Sequence, residues 1–187
     1  MYVTDEVLAG IELKYGTPET AHFRHAMVKP EFDLLLRSMR YKRAHDITLF
    51  IRKAPYWVAI RKHMHPEGVF RAPSGGVNPG EDFEKGALRE AYEETGARVE
   101  LERYILRVHA VFTHEGKEVP WTSHVFTARY ISGELRPIDT REIAEVRPVL
   151  FEELQGEIKE KMLASGSGGL AYRVALTDKV AEILRTA

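Results

Sequence analysis

Three glutamates, Glu90, Glu93 and Glu94, have the spacing of residues on one side of a helix. A helix has 3.6 residues per turn, so positions i, i+3 and i+4 project in a common direction. Carboxylates held this closely repel one another unless they share a cation, and their hard oxygen atoms suit Mg²⁺ or Mn²⁺. We therefore predict that these three side chains bind a divalent metal ion. A solvated, charged helix face is the alternative for an isolated motif of this kind.

The neighbouring residues indicate how the carboxylates are held. Arg89 lies four residues before Glu93 and can pair with it or reach back to Glu81, so we expect Arg89 to orient the carboxylates. Upstream, Gly75 and Gly76 begin a loop whose backbone can pass close to a ligand, because glycine has no side chain.

Residues 75–97 combine these features in one pattern. Its defined positions are Gly75, Glu81, Arg89, Glu90, Ala91, Glu93, Glu94, Gly96 and Ala97. The pattern resembles the Nudix box at every defined position, and a looser resemblance extends from about residue 45 to about residue 154. The resemblance implies an α/β fold, a Nudix-type α/β/α sandwich around a mixed β-sheet. It also implies a Mg²⁺-dependent pyrophosphohydrolase, in which metal-bound water attacks a nucleoside diphosphate linked to another group.

The general base is not fixed by the pattern. Glu142 resembles the downstream glutamate of many Nudix enzymes and is our first candidate, with Glu93 as the second. A glutamate in a loop is otherwise an ordinary solvated charge, so the assignment depends on whether the fold brings Glu142 to the metal site.

Residues that contact the substrate are predicted from their closeness to the glycine loop. We expect Arg71, Gly75, Gly76 and Glu81 to line the substrate site, with Arg71 meeting the phosphates. The pair His63 and His65 has metal-ligand character but lacks a third convergent ligand, so we favour no metal site there. Four aromatic residues are candidates for stacking on a base, although strand aromatics belong more often to the core. They are Trp57, Tyr104, Phe112 and Trp121.

Composition excludes several classes of protein. The 27 basic and 28 acidic residues nearly balance, which disfavours a nucleic-acid partner. The sequence has no cysteine, so thiol catalysis and a thiolate zinc site are excluded. The same absence argues against the Nudix-type isopentenyl diphosphate isomerases, which use a catalytic cysteine. No stretch approaches the roughly 20 apolar residues of a membrane span, and the N-terminus lacks a signal peptide, so we expect a cytoplasmic protein without a membrane partner.

The periodicity divides the chain at about residue 44. Residues 1–44 are predicted to form an N-terminal extension of three helices, and residues 45–187 the Nudix hydrolase domain, including two C-terminal helices joined by a flexible segment at 165–169. Short strands are expected at 47–51 and 56–60, longer ones at 99–112 and 122–130, and a helix at 81–95. The apolar face of the third helix packs either within the chain or in a homodimer. That face comprises Phe32, Leu35, Leu36 and Met39.

The substrate and one alternative function remain open. The proline of ADP-ribose hydrolases would fall near Val111 or Phe112, and the tyrosine of diadenosine-polyphosphate hydrolases near residues 113–115, but neither is present. Residues 73–76 resemble the entry to the box in some sugar-nucleotide hydrolases. We therefore predict only a small nucleoside diphosphate derivative as substrate. The alternative is a Nudix-like module that binds a nucleotide without hydrolysing it; such modules commonly lose box carboxylates, whereas this chain retains them.

Overall fold

The computed structural model describes residues 3–39 and 43–186. The elements, in chain order, are α1 (Asp5–Tyr15), β1 (Glu19–Ala26), α2 (Lys29–Ser38), β2 (His45–Lys53), β3 (Tyr56–Lys62), β4 (Ser74–Gly75), α3 (Phe83–Thr95), β5 (Arg98–His114), β6 (Lys117–Ser132), β7 (Ile143–Val149), α4 (Phe151–Gln155), α5 (Glu157–Ala164) and α6 (Gly168–Thr186). The strands predicted at 47–51, 56–60, 99–112 and 122–130 are confirmed as parts of β2, β3, β5 and β6.

The strands form a mixed sheet in the order β1-β5-β6-β2-β3-β7. The pairs β1–β5 and β2–β6 are parallel, whereas β5–β6, β2–β3 and β3–β7 are antiparallel. The short strand β4 pairs with β2 through Ile47 and Thr48, which ties the glycine loop to the middle of the sheet. The register thus fixes where the loop lies relative to the sheet.

Helices cover both faces of the sheet. On one face α1 and α3 pack on β2 and β6, and α3 contributes Phe83, Ala87 and Ala91 to this core. On the other face α6 packs on β5 and β6, and α4 and α5 extend the layer over β3. The α/β/α sandwich around a mixed sheet is therefore confirmed. Within the described residues, every helix is too short or too polar to cross a membrane.

The second of the three predicted helices, from residue 17 to the break at residues 29–30, was wrong, because Glu19–Ala26 of this segment form strand β1. Thr17 and Pro18 resemble a helix start, but the residues that follow alternate between exposed and half-buried side chains, with Ala21 and Phe23 packed on the core. Their backbone groups pair with those of the parallel strand β5, and Phe23 lies opposite Ala110. Pairing with a strand that is distant in the sequence thus determines the structure of this segment, and the local helix-start residues Thr17 and Pro18 do not. The domain boundary near residue 45 stays a prediction.

The C-terminal region also differs from the prediction in detail. Gly156, with φ −107° and ψ −111°, separates α4 from α5, where one helix was predicted. Gly168 and Gly169 belong to the first turn of α6, so the predicted flexible segment at 165–169 is partly helical.

The apolar face of α2 packs largely within the chain. Phe32 is only 2% exposed, and its ring lies 5.5 Å from that of His114 between centroids. Leu35 and Met39 pack against the core beneath α6, whereas Leu36 remains exposed. Intrachain packing thus accounts for three of the four residues, and dimerisation stays a prediction.

We predict that Gly168→Ala destabilises the protein by about 1–3 kcal/mol, the usual cost of overpacking. A Cβ at this position would lie 1.8 Å from the carbonyl oxygen of Ala26, a backbone atom that cannot rotate away. Gly10→Ala in α1 is the matched control, since nothing lies within 4 Å of its added Cβ. Urea unfolding should show a lower midpoint for Gly168→Ala and an equal or higher one for Gly10→Ala. Equal midpoints for Gly168→Ala and the wild type would contradict the close contact.

Candidate active site

A cavity of about 560 Å³ lies between the glycine loop, the start of α6 and helix α2. One wall carries Glu90 and Glu94 from α3, and another carries the apolar side chains Leu34 and Leu35 from α2. The cavity therefore joins a charged region to an apolar one, as is common in sites for small organic ligands.

Helix α3 presents its carboxylates to the cavity because its other side is buried. It begins at Asp82, whose carboxylate accepts from the Lys85 N–H at 3.0 Å, and ends at Gly96 with φ 71°. A Cβ on Gly96 would lie 2.3 Å from the Glu134 carbonyl oxygen, so the helix end requires glycine.

Glu94 is the most buried carboxylate of the motif, with only 4% of the residue exposed. Its Oε2 accepts a hydrogen bond from the Ser74 N–H at 2.7 Å. Burial raises the pKa of Glu94 to about 7, against the opposing effect of the nearby cations Arg71 and Lys62. An additional positive charge nearby would therefore strongly stabilise the ionised form of this carboxylate.

Glu90 lies next to the glycine loop. Its Oε1 accepts from the Gly76 N–H at 3.2 Å, and burial raises its pKa. A Cβ on Gly75 would lie 2.0 Å from the Glu90 carboxyl carbon, so any larger residue at position 75 would displace the carboxylate. The glycine is thus required by the close approach of Glu90 to the loop.

Arg89 connects several of these groups with its guanidinium. Nε donates to Glu81 at 2.8 Å, Nη1 donates to Glu90 and Glu93 at 2.8 Å each, and Nη2 donates to the Gly76 carbonyl oxygen at 2.9 Å. These contacts raise the pKa of Arg89, with the hydrogen bond to Glu81 as the largest cause. Both pairings anticipated from the sequence, with Glu93 and with Glu81, are present.

Glu93 differs from the other two glutamates of the motif because its side chain is 45% exposed and paired with Arg89. Its backbone carbonyl oxygen accepts from the N–H groups of Ile138 at 3.1 Å and Asp139 at 2.8 Å. These hydrogen bonds connect the loop before β7 to helix α3.

The donor set suits Mg²⁺ even though it is not a closed protein cage. Among residues 3–39 and 43–186, no three histidine, aspartate or glutamate side chains already converge as a complete metal site. Mg²⁺ commonly takes one or two carboxylates and fills its remaining positions with water and substrate phosphate. Glu90 and Glu94 line the same cavity, and each has one oxygen fixed by a loop N–H, so they fit this requirement.

Glu142 lies at the rim of the cavity, with a side chain that is 54% exposed. Lys62 donates a hydrogen bond to its Oε1, and the same ammonium lies 3.7 Å from Glu94 Oε1. The Glu142 carbonyl oxygen accepts from the His63 N–H at 3.2 Å. Lys62, at the end of β3, thus lies close to both Glu142 and Glu94.

Arg71 lines the cavity but is already engaged by the protein. Its Nη1 donates to the Ala72 carbonyl oxygen at 2.7 Å and to Ser74 Oγ at 3.0 Å, and Nη2 lies 4.0 Å from Glu94 Oε1. Burial lowers the pKa of Arg71 to about 10, which leaves it cationic at neutral pH.

Sequence reasoning missed a second buried cation, Arg173 of α6. It donates to Asp46 at 2.7 Å, to Thr48 Oγ1 at 2.9 Å and to Ser74 Oγ at 3.0 Å. Ser74 therefore receives hydrogen bonds from two guanidinium groups while its own N–H holds Glu94. No local signal marks Arg173, because its partners lie more than 90 residues away in the chain.

The aromatic and histidine candidates divide between the cavity and other places. Phe112 and Trp121 line the cavity, whereas Trp57 packs on Phe50 and Phe151, and Tyr104 stacks on Phe126 in the opposite core. His63 and His65 also have different surroundings. His63 contacts the Thr140 carbonyl oxygen at 3.0 Å, whereas His65 lines the cavity, where burial lowers its pKa to about 3.

Comparisons with known proteins agree with this geometry. The family model described as the NUDIX domain matches residues 41–170. A Mycobacterium tuberculosis protein named mutator protein MutT4 is 36% identical over 48% of this chain and 36% of its own length. An RNA pyrophosphohydrolase of Erythrobacter litoralis is 33% identical over 37% of this chain and 43% of its own length. The chain thus matches less than half of each of these curated relatives.

A solved structure supports the fold independently. The NUDIX hydrolase from Nitrosomonas europaea superposes with a TM-score of 0.51 at 18% sequence identity, covering 67% of this chain and 92% of that chain. At this identity the likeness concerns the fold alone. Because the family model matches more than half of the sequence and contains α3 with its glutamates, the chain belongs to the NUDIX family.

Proposed function

We propose that this protein is a divalent-metal-dependent hydrolase that cleaves the pyrophosphate bond of a small nucleoside diphosphate derivative. The observation that carries the proposal is the position of buried Glu94 and part-buried Glu90 against the backbone of the glycine loop, on one wall of a ligand-sized cavity. Two carboxylates shielded from water in this way are stabilised by a shared cation, and the diphosphate of a substrate would complete the coordination.

The proposed metal ligands are Glu90, Glu93 and Glu94, with Mg²⁺ or Mn²⁺ as the cation. When bound, the cation stabilises charge on the diphosphate and makes water a better nucleophile. Arg89 keeps Glu90 and Glu93 in place by hydrogen bonding to both and to Glu81. Glu90 and Glu94 line the cavity whereas Glu93 does not, so Glu90 and Glu94 form the core of the proposed donor set.

Glu142 is the proposed general base, with Glu93 as the second candidate. Its carboxylate lies at the solvent side of the cavity, where it could accept a proton from water, and Lys62 holds it near Glu94. Glu93 is the second candidate because, although it is solvent-accessible, it does not line the cavity, whereas Glu142 does.

The size of the cavity supports a small-molecule substrate. About 560 Å³ falls within the range of sites for nucleotide-sized ligands. The glycine loop, through Gly75 and Gly76, and the guanidinium of Arg71 are proposed to line the diphosphate. Glu81, predicted together with them, does not line the cavity and pairs with Arg89 instead. The similarity to an RNA pyrophosphohydrolase makes the triphosphorylated 5′ end of RNA a further substrate to test, against our expectation of no nucleic-acid partner.

A substrate panel tests the proposed reaction. The protein is incubated with Mg²⁺ and, separately, with NTPs, ADP-ribose, NADH, dinucleoside polyphosphates, UDP-sugars and 5′-triphosphorylated RNA, each with and without EDTA. We expect metal-dependent release of mononucleotide or phosphate from at least one small nucleotide. Binding of nucleotides without any release would favour the alternative, a non-catalytic nucleotide-binding module.

We predict that Glu94→Gln lowers turnover by at least about a hundredfold, because it removes a proposed metal ligand. The variant should keep its fold, since the glutamine carbonyl can still accept from the Ser74 N–H. In EDTA at neutral pH its urea midpoint should equal or exceed that of the wild type, because burial raises the pKa of Glu94 to about 7 and thus disfavours its charged form.

Glu84→Gln is the control on the same helix, because Glu84 pairs with Lys14 and Tyr15 away from the cavity. It should retain wild-type turnover. Wild-type turnover of Glu94→Gln at saturating Mg²⁺ would contradict the proposed metal site.

We predict that Glu142→Gln lowers turnover by about a hundredfold or more while Mg²⁺ affinity stays near the wild-type value. Its control is Glu145→Gln, a neighbouring glutamate on β7 that pairs with Arg61. Steady-state kinetics and a Mg²⁺ titration of both variants provide the measurement. A loss of only a few-fold for Glu142→Gln, with a large loss for Glu93→Gln, would transfer the role to Glu93.

A further inference from the structure

Among the residues that the structure describes, one cation in the wall of the cavity, Arg43, has no anionic partner. Within residues 3–39 and 43–186, no carboxylate lies within 4.0 Å of the Arg43 guanidinium, and no hydrogen bond joins Arg43 to another residue; its Nε is buried without a partner. The other cations there are engaged, since Lys62 binds Glu142, Arg71 binds Ser74 and Arg173 binds Asp46. A half-buried guanidinium without a partner loses hydration that no protein group replaces.

The position of Arg43 places this free cation beside the proposed metal site. A Cβ on Gly76 would lie 2.0 Å from Arg43 Nη1, so the guanidinium rests directly on the glycine loop. The N–H of the same glycine donates to Glu90 at 3.2 Å. A diphosphate bound to a cation at Glu90 would therefore lie within reach of the Arg43 side chain.

Trp121 supports the guanidinium from another side. The guanidinium carbon lies 5.8 Å from the centre of the Trp121 ring, and Trp121 is only 7% exposed. A cation–π contact of this kind restricts the orientation of an arginine without using its N–H donors. Within the described part of the chain, the Nη groups of Arg43 donate no hydrogen bond, so their N–H donors are available to a ligand, whereas the Nε N–H is buried.

We propose that Arg43 binds a phosphate oxygen of the substrate's diphosphate, with Trp121 holding the guanidinium in position. The inference rests on the proposed function and adds a substrate-binding residue to it. Arginine is well suited to this role because its planar fork matches phosphate geometry and forms two parallel charge-assisted hydrogen bonds. Arg71 is less suited to be the main contact, because its Nη1 already donates to Ala72 and Ser74.

Calorimetry with separate parts of a substrate tests the assignment. Methylenediphosphonate supplies an uncleavable diphosphate without a base, and adenosine supplies a nucleoside without phosphate; both are titrated in the presence of Mg²⁺. The variants are Arg43→Gln and Arg43→Lys. The control is Arg37→Gln, which removes the same charge from an exposed position on α2 outside the cavity.

We expect Arg43→Gln to weaken methylenediphosphonate binding about tenfold or more, Arg43→Lys to weaken it less, and Arg37→Gln to leave it unchanged. Adenosine binding should be equal in all four proteins. Unchanged methylenediphosphonate binding in folded Arg43→Gln would overturn the proposal, as would a failure of the wild type to bind this ligand. An equal loss for adenosine would also overturn it, because Arg43 would then act on the nucleoside or only on the shape of the cavity. If Arg43→Gln fails to fold, the methylenediphosphonate affinities of Arg43→Lys and Arg37→Gln test the proposal, and equal affinities would overturn it.

Kinetics separate this inference from the proposed reaction. With any substrate found in the panel, Arg43→Gln should raise KM about tenfold and change kcat less than about threefold, as expected for a contact made equally in the bound and transition states. Absence of turnover in the wild type would contradict the proposed reaction, and the calorimetric result would still decide whether Arg43 binds the diphosphate.

Discussion

The contact between the glycine loop and α3 determines the arrangement of the candidate site. Two loop N–H groups, from Ser74 and Gly76, donate to Glu94 and Glu90, and Arg89 returns a hydrogen bond to the loop through the Gly76 carbonyl oxygen. The loop backbone and the glutamate carboxylates can approach this closely only where no side chain lies between them, as at Gly75. Because β4 also pairs with β2, the sheet, the loop and the helix are fixed relative to one another. The carboxylates are thus positioned by backbone atoms, which move less than side chains.

The charges around the cavity form a connected network. Asp46, Arg173 and Ser74 are joined by hydrogen bonds from α6, and Arg71 and Lys62 extend the network toward Glu94 and Glu142. A buried charge is costly unless it is paired, so Asp46 and Arg173 depend on each other, and the loss of either would leave the other uncompensated. In the proposed function the cations of this network lower the cost of holding Glu94 and Glu90 close together before a metal ion and a diphosphate are bound.

The sequence predicted those parts of the site that depend on local geometry. The helical spacing of Glu90, Glu93 and Glu94 and the i to i+4 pairing of Arg89 with Glu93 follow from the helix repeat alone. Helix α3 lies within the predicted range 81–95. By contrast, β1 was misread as a helix because its structure depends on pairing with β5, more than 80 residues away. For the same reason, the positions of Arg173 and Arg43 at the cavity could not be predicted from the sequence. Neither belongs to a motif, and only the packing of distant segments brings them to the cavity.

Segments outside the family match contribute residues to the wall of the cavity. The match covers residues 41–170, whereas α2 lies before it and Arg173 follows it. Glu31 of α2 accepts hydrogen bonds from Ser167 and from the Gly168 N–H, which joins α2 to the first turn of α6. In the proposed function, the matched segment carries the groups for metal and diphosphate binding, while α2 and Arg173 border the space for the group attached to the diphosphate. In that function, differences in substrate among relatives should follow differences in α2 and in the part of α6 beyond residue 170 more closely than differences in the box.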